Sequence, residues 1–329
     1  MKLEHRIDFR WLILFALPTI FSSIFANLYS TVDGIFVALY VDTDALSAIN
    51  ITMPMTYLAS AFGMMFGSGG NALVARKIGE GRHQEAREDF SLMMAVAFGF
   101  SVVLAGAAIA TSIGYAVPSI VGAIFFCTSR KQVLHVVRPK WRGKTITDSC
   151  INGSSEMVSV LAFSVITILF NRILMSLGGS DGVASLSIIW YAQGLFGGLF
   201  RGYVNGISSV VSYNLGRGDK ARLSKLFRIS VITLLVTSAV VTAISYLLGG
   251  WVVGFFAKGN AHVAEIALHG FHIVATSFAM MAFNVFASGW FTALNDGKTS
   301  AILSFCRTIV FMVLPVLVLP RIFEMDGVW

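Results

Sequence analysis

The sequence predicts an all-α polytopic membrane protein. Three observations carry that prediction. Mean hydropathy is +0.77 and only 12% of residues are charged, against about 25% in soluble domains. Apolar residues gather into stretches long enough to cross a bilayer, which takes ~20 residues of helix. Basic residues gather in the short segments between those stretches. The net charge of +7 therefore reads as orientation in the membrane rather than affinity for nucleic acid. The three cysteines (Cys127, Cys150 and Cys306) have neither CxxC nor metal-ligand spacing. With no nucleotide loop, metal cluster or catalytic triad, the sequence reads as a non-enzyme without a bound cofactor.

Met1–Arg10 is short and polar and carries Lys2, Arg6 and Arg10. The first helix, Trp11–Val41, reads WLILFALPTIFSSIFANLYSTVDGIFVALYV, interrupted by Pro18 and by one carboxylate, Asp33. It is too long for the apolar region of a signal peptide, and no small-residue cleavage site follows it. A second helix is expected over Ala45–Val74, where Gly63, Gly67, Gly69 and Gly70 allow close helix approach. A polar loop, ARKIGEGRHQEARED, is expected from Ala75 to Asp89. The next apolar run, Phe90–Cys127, has 38 residues, too many for one span without extreme tilt. Beyond a linker over 129–150, basic from Ser129 to Lys144, further spans are expected at about Ser154–Leu177, Ala184–Leu215, Leu226–Ala257, Ala264–Leu294 and Ser300–Pro320.

Charge placement resolves the long run. If it bends as a tight hairpin near Ala105–Gly106, 19 of the 24 Lys and Arg residues fall on one side of the membrane. The opposite loops then hold only Lys258 and Arg321. A single span would carry the basic linker outside, against the positive-inside rule. The prediction is nine helices, with the N-terminus cytoplasmic and the C-terminus outside.

An internal repeat accompanies this layout. Asp44-Ala-Leu-Ser-Ala-Ile-Asn-Ile resembles Asp181-Gly-Val-Ala-Ser-Leu-Ser-Ile, and Ile78-Gly-Glu-Gly resembles Leu215-Gly-Arg-Gly. Both pairs are offset by 137 without a gap, and Gly69 and Gly206 share that offset. Two halves of the same orientation point to a transporter with parallel repeats and a central site.

Polar residues within spans mark the candidate site. An aspartate at the depth of Asp33 is costly in hydrocarbon and should face a cavity or a partner. It is either a packing aspartate bonded to a neighbour's hydroxyl or a proton- or cation-responsive carboxylate. Glu156 either favours the positive end of its helix dipole or lines a cavity. Arg201 lies mid-span and should face the interior, with Glu156 as a conceivable partner. Asn171 is one step past Phe170, the repeat partner of Asp33. Asn27, Asn205 and Asn284 read as interhelical hydrogen bonders before ligands. Arg307 reads as an anchor at the cytoplasmic end of its helix.

Several stretches resemble one family. They are LPTIF, NLYSTVDGIFV, ALVARKIGEG, GAAIATSIGYAVPSI, NGSSEMVSVLAFSVITILFN, SYNLGRGD and WFTALNDGKTSAILSFCRT. Together they resemble the multidrug and toxic compound extrusion (MATE) family, in a superfamily that includes lipid-linked-oligosaccharide flippases. The resemblance implies two six-helix lobes, of which this chain has helices one, two, three and six and then seven to eleven. Helices four, five and twelve have no counterpart. The implied division is an N-terminal lobe over 1–128, a cytoplasmic linker over 129–150 and a C-terminal lobe over 151–329.

The function implied is export of organic cations or drugs across the cytoplasmic (inner) membrane in exchange for H⁺ or Na⁺. Pro18 and Asp33 match a proline and an aspartate fifteen residues apart in the family's N-lobe cavity, and Thr111 matches a threonine there. The acidic and amide partners that some members carry on helix five are missing. Candidate cavity residues are thus Asp33, Pro18, Asn27, Thr111, Glu156, Asn171 and Arg201. Two other readings stand beside this one: a transport-incompetent remnant or interaction partner, and a flippase of lipid-linked substrates. Partners implied are small organic cations and the lipid bilayer. A second copy is one way to cover faces of the first three helices left bare by the missing pair.

Overall fold

The computed structural model describes residues 7–40, 43–105, 120–128, 133–257 and 261–329, without the side chains of 30, 31, 33–40, 43–56, 58, 59, 100–105 and 255. Among the described residues every regular element is helical. The order is α1 (Phe9–Tyr40), α2 (Thr43–Gly79), α3 (His83–Ala105), α4 (120–128), α5 (Gly143–Gly216), α6 (Lys220–Ala257), α7 (Ala261–Ala293) and α8 (Gly297–Phe305). The chain continues from α8 through a π-helical stretch, Cys306–Val313, into α9 (Leu314–Val318) and α10 (Pro320–Phe323). By length and composition α1, α5, α6, α7 and Gly297–Phe323 can each cross a bilayer. Gly106 of the expected hairpin bend lies outside the described residues.

One expected boundary is corrected. The polar stretch Ala75–Asp89 is helical except for 80–82. Arg76 and Lys77 lie in the last turn of α2 and Glu85 in the first turn of α3, where each sign suits the helix dipole. Loss of hydropathy there marks the membrane surface and not the helix end. The two spans expected on either side of Gly178-Gly179 are present as two helical arms, labelled α5 together and separated at Gly179, whose φ of +58° and ψ of −147° are not helical. A side chain would strain that conformation, so glycine sets the bend. The residues before it form a first arm and those after it a second.

The sequence repeat is also a backbone repeat. Shifted by 137, the bounds of α2 (Thr43–Gly79) become 180–216, the second arm of α5, and the start of α3 at His83 becomes Lys220, the start of α6. The helix ends match bond for bond. Gly81 N–H donates to Ile78 O at 3.0 Å and Arg82 N–H to Lys77 O at 2.9 Å. Gly218 N–H donates to Leu215 O at 2.9 Å and Asp219 N–H to Asn214 O at 3.1 Å. Both glycines have positive φ, +78° and +69°, the αL closure that ends many helices.

Contacts between the halves obey the same symmetry. A Cβ on Gly69 would lie 2.8 Å from Gly153 N, and one on Gly206 would lie 2.9 Å from Ala16 Cα. The offset of 137 converts one pair into the other, with Gly69 becoming Gly206 and Ala16 becoming Gly153. At the pseudo-two-fold axis itself, a Cβ on Gly79 would lie 2.0 Å from Tyr213 O, and one on Gly216 2.0 Å from Arg76 O. Backbones meet there directly. The apolar core beside this seam unites α1, the second arm of α5, α6 and α7 around Phe200, Ile207, Leu226, Leu234 and Phe278.

The segment before α5 is bound to the α2–α3 corner. Arg87 Nε donates to Val133 O at 2.8 Å, and Val137 N–H donates to Ser91 Oγ at 2.9 Å. Asp89 is fully buried and pairs with Lys77, while Arg142 reaches Glu88 at 2.6 Å and Asp89 at 3.4 Å. Lys140 adds a 2.8 Å pair to Glu88. Arg82 pairs with Glu85 and holds its carboxyl down at about 2, and the Lys140 ammonium lowers Glu88.

Two predictions arise from these contacts. Gly216→Ala should lower the melting temperature of the purified protein, because its Cβ meets a backbone oxygen. Gly63→Ala, where a Cβ meets nothing within 4 Å, should leave it unchanged or raise it by helix propensity. Equal melting temperatures for the two variants would refute direct backbone contact. The second prediction concerns pH. Glu85, held at about 2, and Glu88, lowered in the same direction, have depressed folded-state pKa values, so their contribution is present above the unfolded carboxylate value of ~4.3 and is lost as pH falls through the folded values. Hydrogen exchange, corrected for its intrinsic rate, should show residues 133–142 losing protection between about pH 4.5 and about pH 2. Constant protection over that interval would show that these pairs do not hold the segment.

Candidate functional site

The second half holds a part-open cavity of about 260 Å³ between the two arms of α5, α7 and the stretch from Phe311 to Trp329. Its walls are mainly aromatic and aliphatic, with Gln193 and Ser277 as polar points and Phe170, Trp190, Phe311 and Trp329 among the rings. Trp190 packs against Phe163 and Phe170, with ring centroids at 5.4 and 5.9 Å. The buried Trp329 Nε1 has no hydrogen-bond acceptor among the described residues.

Helical spacing links this cavity to a charged cluster. On the second arm, Trp190, Gln193, Gly197 and Arg201 follow one face at intervals of three and four. On the first arm, Glu156, Ser159 and Phe163 do the same, and Phe170 returns to that face two turns later. Arg307, Phe311 and Pro315 form the third stripe. In a regular α-helix the Pro315 ring would press on the carbonyl of Phe311, four residues earlier. The π-helical turns of Cys306–Val313 relieve that clash, and such widened turns recur at functional sites.

Arg307 is fixed from two sides. It donates through Nη1 to Asn284 O of α7 at 2.9 Å and through Nη2 to Ser159 Oγ of α5 at 3.0 Å. The carboxylate of Glu156 lies in electrostatic reach of Arg307 and Arg201. Arg201 makes no hydrogen bond or direct ion pair among the described residues. Its guanidinium folds back over Gly197, where a Cβ would lie 3.3 Å from Nη2, in the direction of Gln193 and the cavity. Three ionisable groups thus share one region, two cationic and one anionic.

A buried hydroxyl network holds the helices that carry them. Ser288 Oγ lies 2.8 Å from Ser304 Oγ and 3.1 Å from Ser300 Oγ, and Thr292 Oγ1 lies 2.7 Å from Ser300 Oγ. Thr292 also meets Ser155 Oγ at 3.2 Å, and Asn152 Nδ2 donates to Thr292 O at 2.9 Å. The first arm of α5, α7 and α8 are cross-linked immediately beside Glu156.

The sequence-derived candidates separate into groups. Glu156 and Arg201 lie in electrostatic reach of each other without a direct ion pair. Arg307 is not an end anchor; it lies with them, because α8 begins at Gly297 and ten residues carry the chain well into the bundle. The rule that singled out Arg201, a cation inside an apolar span, applied equally to Arg307. Asn27 packs on the second arm, where a Cβ on Gly198 would lie 2.7 Å from its Nδ2, and that Nδ2 donates to Ser23 O at 2.7 Å. Asn171 and Asn205 are exposed, and Pro18 is an exposed position inside α1. The backbone of Asp33 lies in α1, but its side chain falls outside the described residues, as does Thr111 entirely. Ser159, Phe311 and Trp329 were not singled out by the sequence, since no ordinary polar or apolar residue announces a cavity wall.

Comparison with known proteins fits this architecture. Multidrug export protein MepA of Staphylococcus saprophyticus is 23% identical over 235 residues, 70% of this chain and 49% of that protein. MepA of Staphylococcus aureus is 24% identical over 252 residues, 70% and 52% of the two chains. The chain therefore spans about half the length of the curated relatives it matches. Among solved structures, the MATE multidrug transporter DinF-BH in complex with R6G superposes with a TM-score of 0.87 at 19% identity, covering 100% of this chain and 92% of that one. An outward-facing MATE multidrug resistance transporter gives 0.85 at 18%, covering 98% and 92%. These likenesses show the fold. The MatE family model matches residues 18–116 and 157–317, and with most of its length so matched the chain belongs to the MatE family, whose members are transporters and not enzymes.

Proposed function

We propose that the chain is a secondary active exporter of organic cations or drugs, driven by inward movement of H⁺ or Na⁺ through the cytoplasmic membrane. Its basic side, with the N-terminus, lies in the cytoplasm. The observation that carries this reading is the parallel repeat, closed by glycine contacts at one side and hollow within the second half. Alternating access needs two bodies that rock about a common axis, and the Gly79–Gly216 contact lies on such an axis. The names of the MepA relatives support the substrate class.

Asp33 is the group that couples the fluxes in this proposal. An organic cation and a proton compete for one carboxylate deep in α1, and release of one accompanies capture of the other. Asp33→Asn keeps the shape and removes the charge. Ethidium efflux should be measured from cells with wild type or Asp33→Asn at matched membrane levels. The expected result is efflux by wild type and none above vector background by the variant. Efflux that survives in Asp33→Asn would remove Asp33 from the coupling role. Absence of efflux from both would overturn the exporter reading in favour of a transport-incompetent remnant.

A further inference from the structure

We propose that the second half contains a binding site for amphipathic organic anions, with Arg201 receiving the anionic head and the aromatic cavity receiving the body. It goes beyond cation export at Asp33 and does not depend on it. The argument begins with charge. Glu156, Arg201 and Arg307 are mutual electrostatic partners, and one carboxylate cannot neutralise two guanidiniums. Any cation entering from the cavity meets net positive charge, so this arrangement selects against the ligand class proposed for Asp33.

Hydrogen bonding assigns different work to the two arginines. Arg307 has committed donors to Asn284 O and Ser159 Oγ and is held fixed between α7 and the first arm of α5. Arg201 has committed none among the described residues, keeps solvent-accessible surface and lies folded over Gly197. A planar guanidinium with free donors matches a carboxylate or sulfonate through two parallel hydrogen bonds. One, two and three turns further along the same face stand Gly197, Gln193 and Trp190, of which Gln193 and Trp190 line the cavity of about 260 Å³. That volume and its rings suit an aromatic body of two or three fused rings.

The test compares two dyes with the same three-ring skeleton and opposite charge, fluorescein (anionic) and rhodamine 123 (cationic). Binding to the purified full chain in nanodiscs of zwitterionic lipid is read by fluorescence anisotropy. Fluorescein should bind at least about tenfold more tightly than rhodamine 123, the ratio expected from one charge-assisted pairing. Arg201→Gln should weaken fluorescein by about tenfold or more, and Arg201→Lys, which keeps charge without the planar fork, should fall between. Asp33→Asn should leave fluorescein binding unchanged, which separates this site from the export proposal. Rhodamine 123 binding as tightly as fluorescein would overturn the inference. So would fluorescein binding that a normally folded Arg201→Gln retains in full. If Arg201→Gln does not fold, the dye ratio on the wild-type protein decides.

Discussion

Where Gly79 of α2 meets Gly216 of α5, two helix backbones touch with no side chain between them, and the symmetric pairing of the two halves is built on that contact. In lipid there is no hydrophobic drive to bring helices together, so association rests on close packing and interhelical hydrogen bonds. Small residues permit the closest packing. Here they occur where the symmetry needs them: Gly69 against Gly153, Gly206 against Ala16, and Gly79 against Gly216 on the axis. A methyl group at any of these glycines would meet backbone, which cannot rotate away. The seam is therefore a fixed hinge line rather than a compliant surface.

The cavity of the second half is built on that seam by different means. Gly179 breaks α5 and turns the chain back, so its two helical arms supply a first and a second wall. The Ser155–Thr292–Ser300–Ser288–Ser304 hydroxyls then tie the first arm to α7 and α8. Hydroxyl pairs of this kind average about 0.6 kcal/mol each in a membrane, so the network acts by number and by fixing register. Its position beside Glu156 and Ser159 means that the charged groups are set by helices already locked together. Arg307 gains two acceptors from two different helices in consequence.

Much of this was legible in the sequence, and the reasons for the exceptions are physical. Hydropathy located the spans because burial in lipid demands apolar side chains. It misplaced the ends of α2 and α3 because a helix runs past the membrane wherever Arg76, Lys77 and Glu85 can sit in water. The offset of 137 was visible in two short motifs and proved to govern helix bounds, caps and interface glycines alike. Arg201 and Glu156 stood out as charges in apolar surroundings. The hydroxyl network did not, since Ser and Thr on three helices show no common period until the helices are packed. Asp33 and Thr111, named for the first half, fall where the structure describes no side chain.

What the repeat preserves and what it abandons are informative together. Positions at the seam keep small residues in both halves, because the backbone contact is shared and neither copy can change alone. Cavity positions carry no such obligation. Under the same offset, Arg201 corresponds to Met64, Glu156 to Thr19 and Asp33 to Phe170. None of the three charges is duplicated. An arginine at mid-span costs about 2.5–3.5 kcal/mol on insertion scales, a cost that packing symmetry gives no reason to bear. Duplication thus supplied the scaffold, while the chemistry of each half was set separately by side chains facing its own interior, and a fold shared by two halves does not imply one ligand for both.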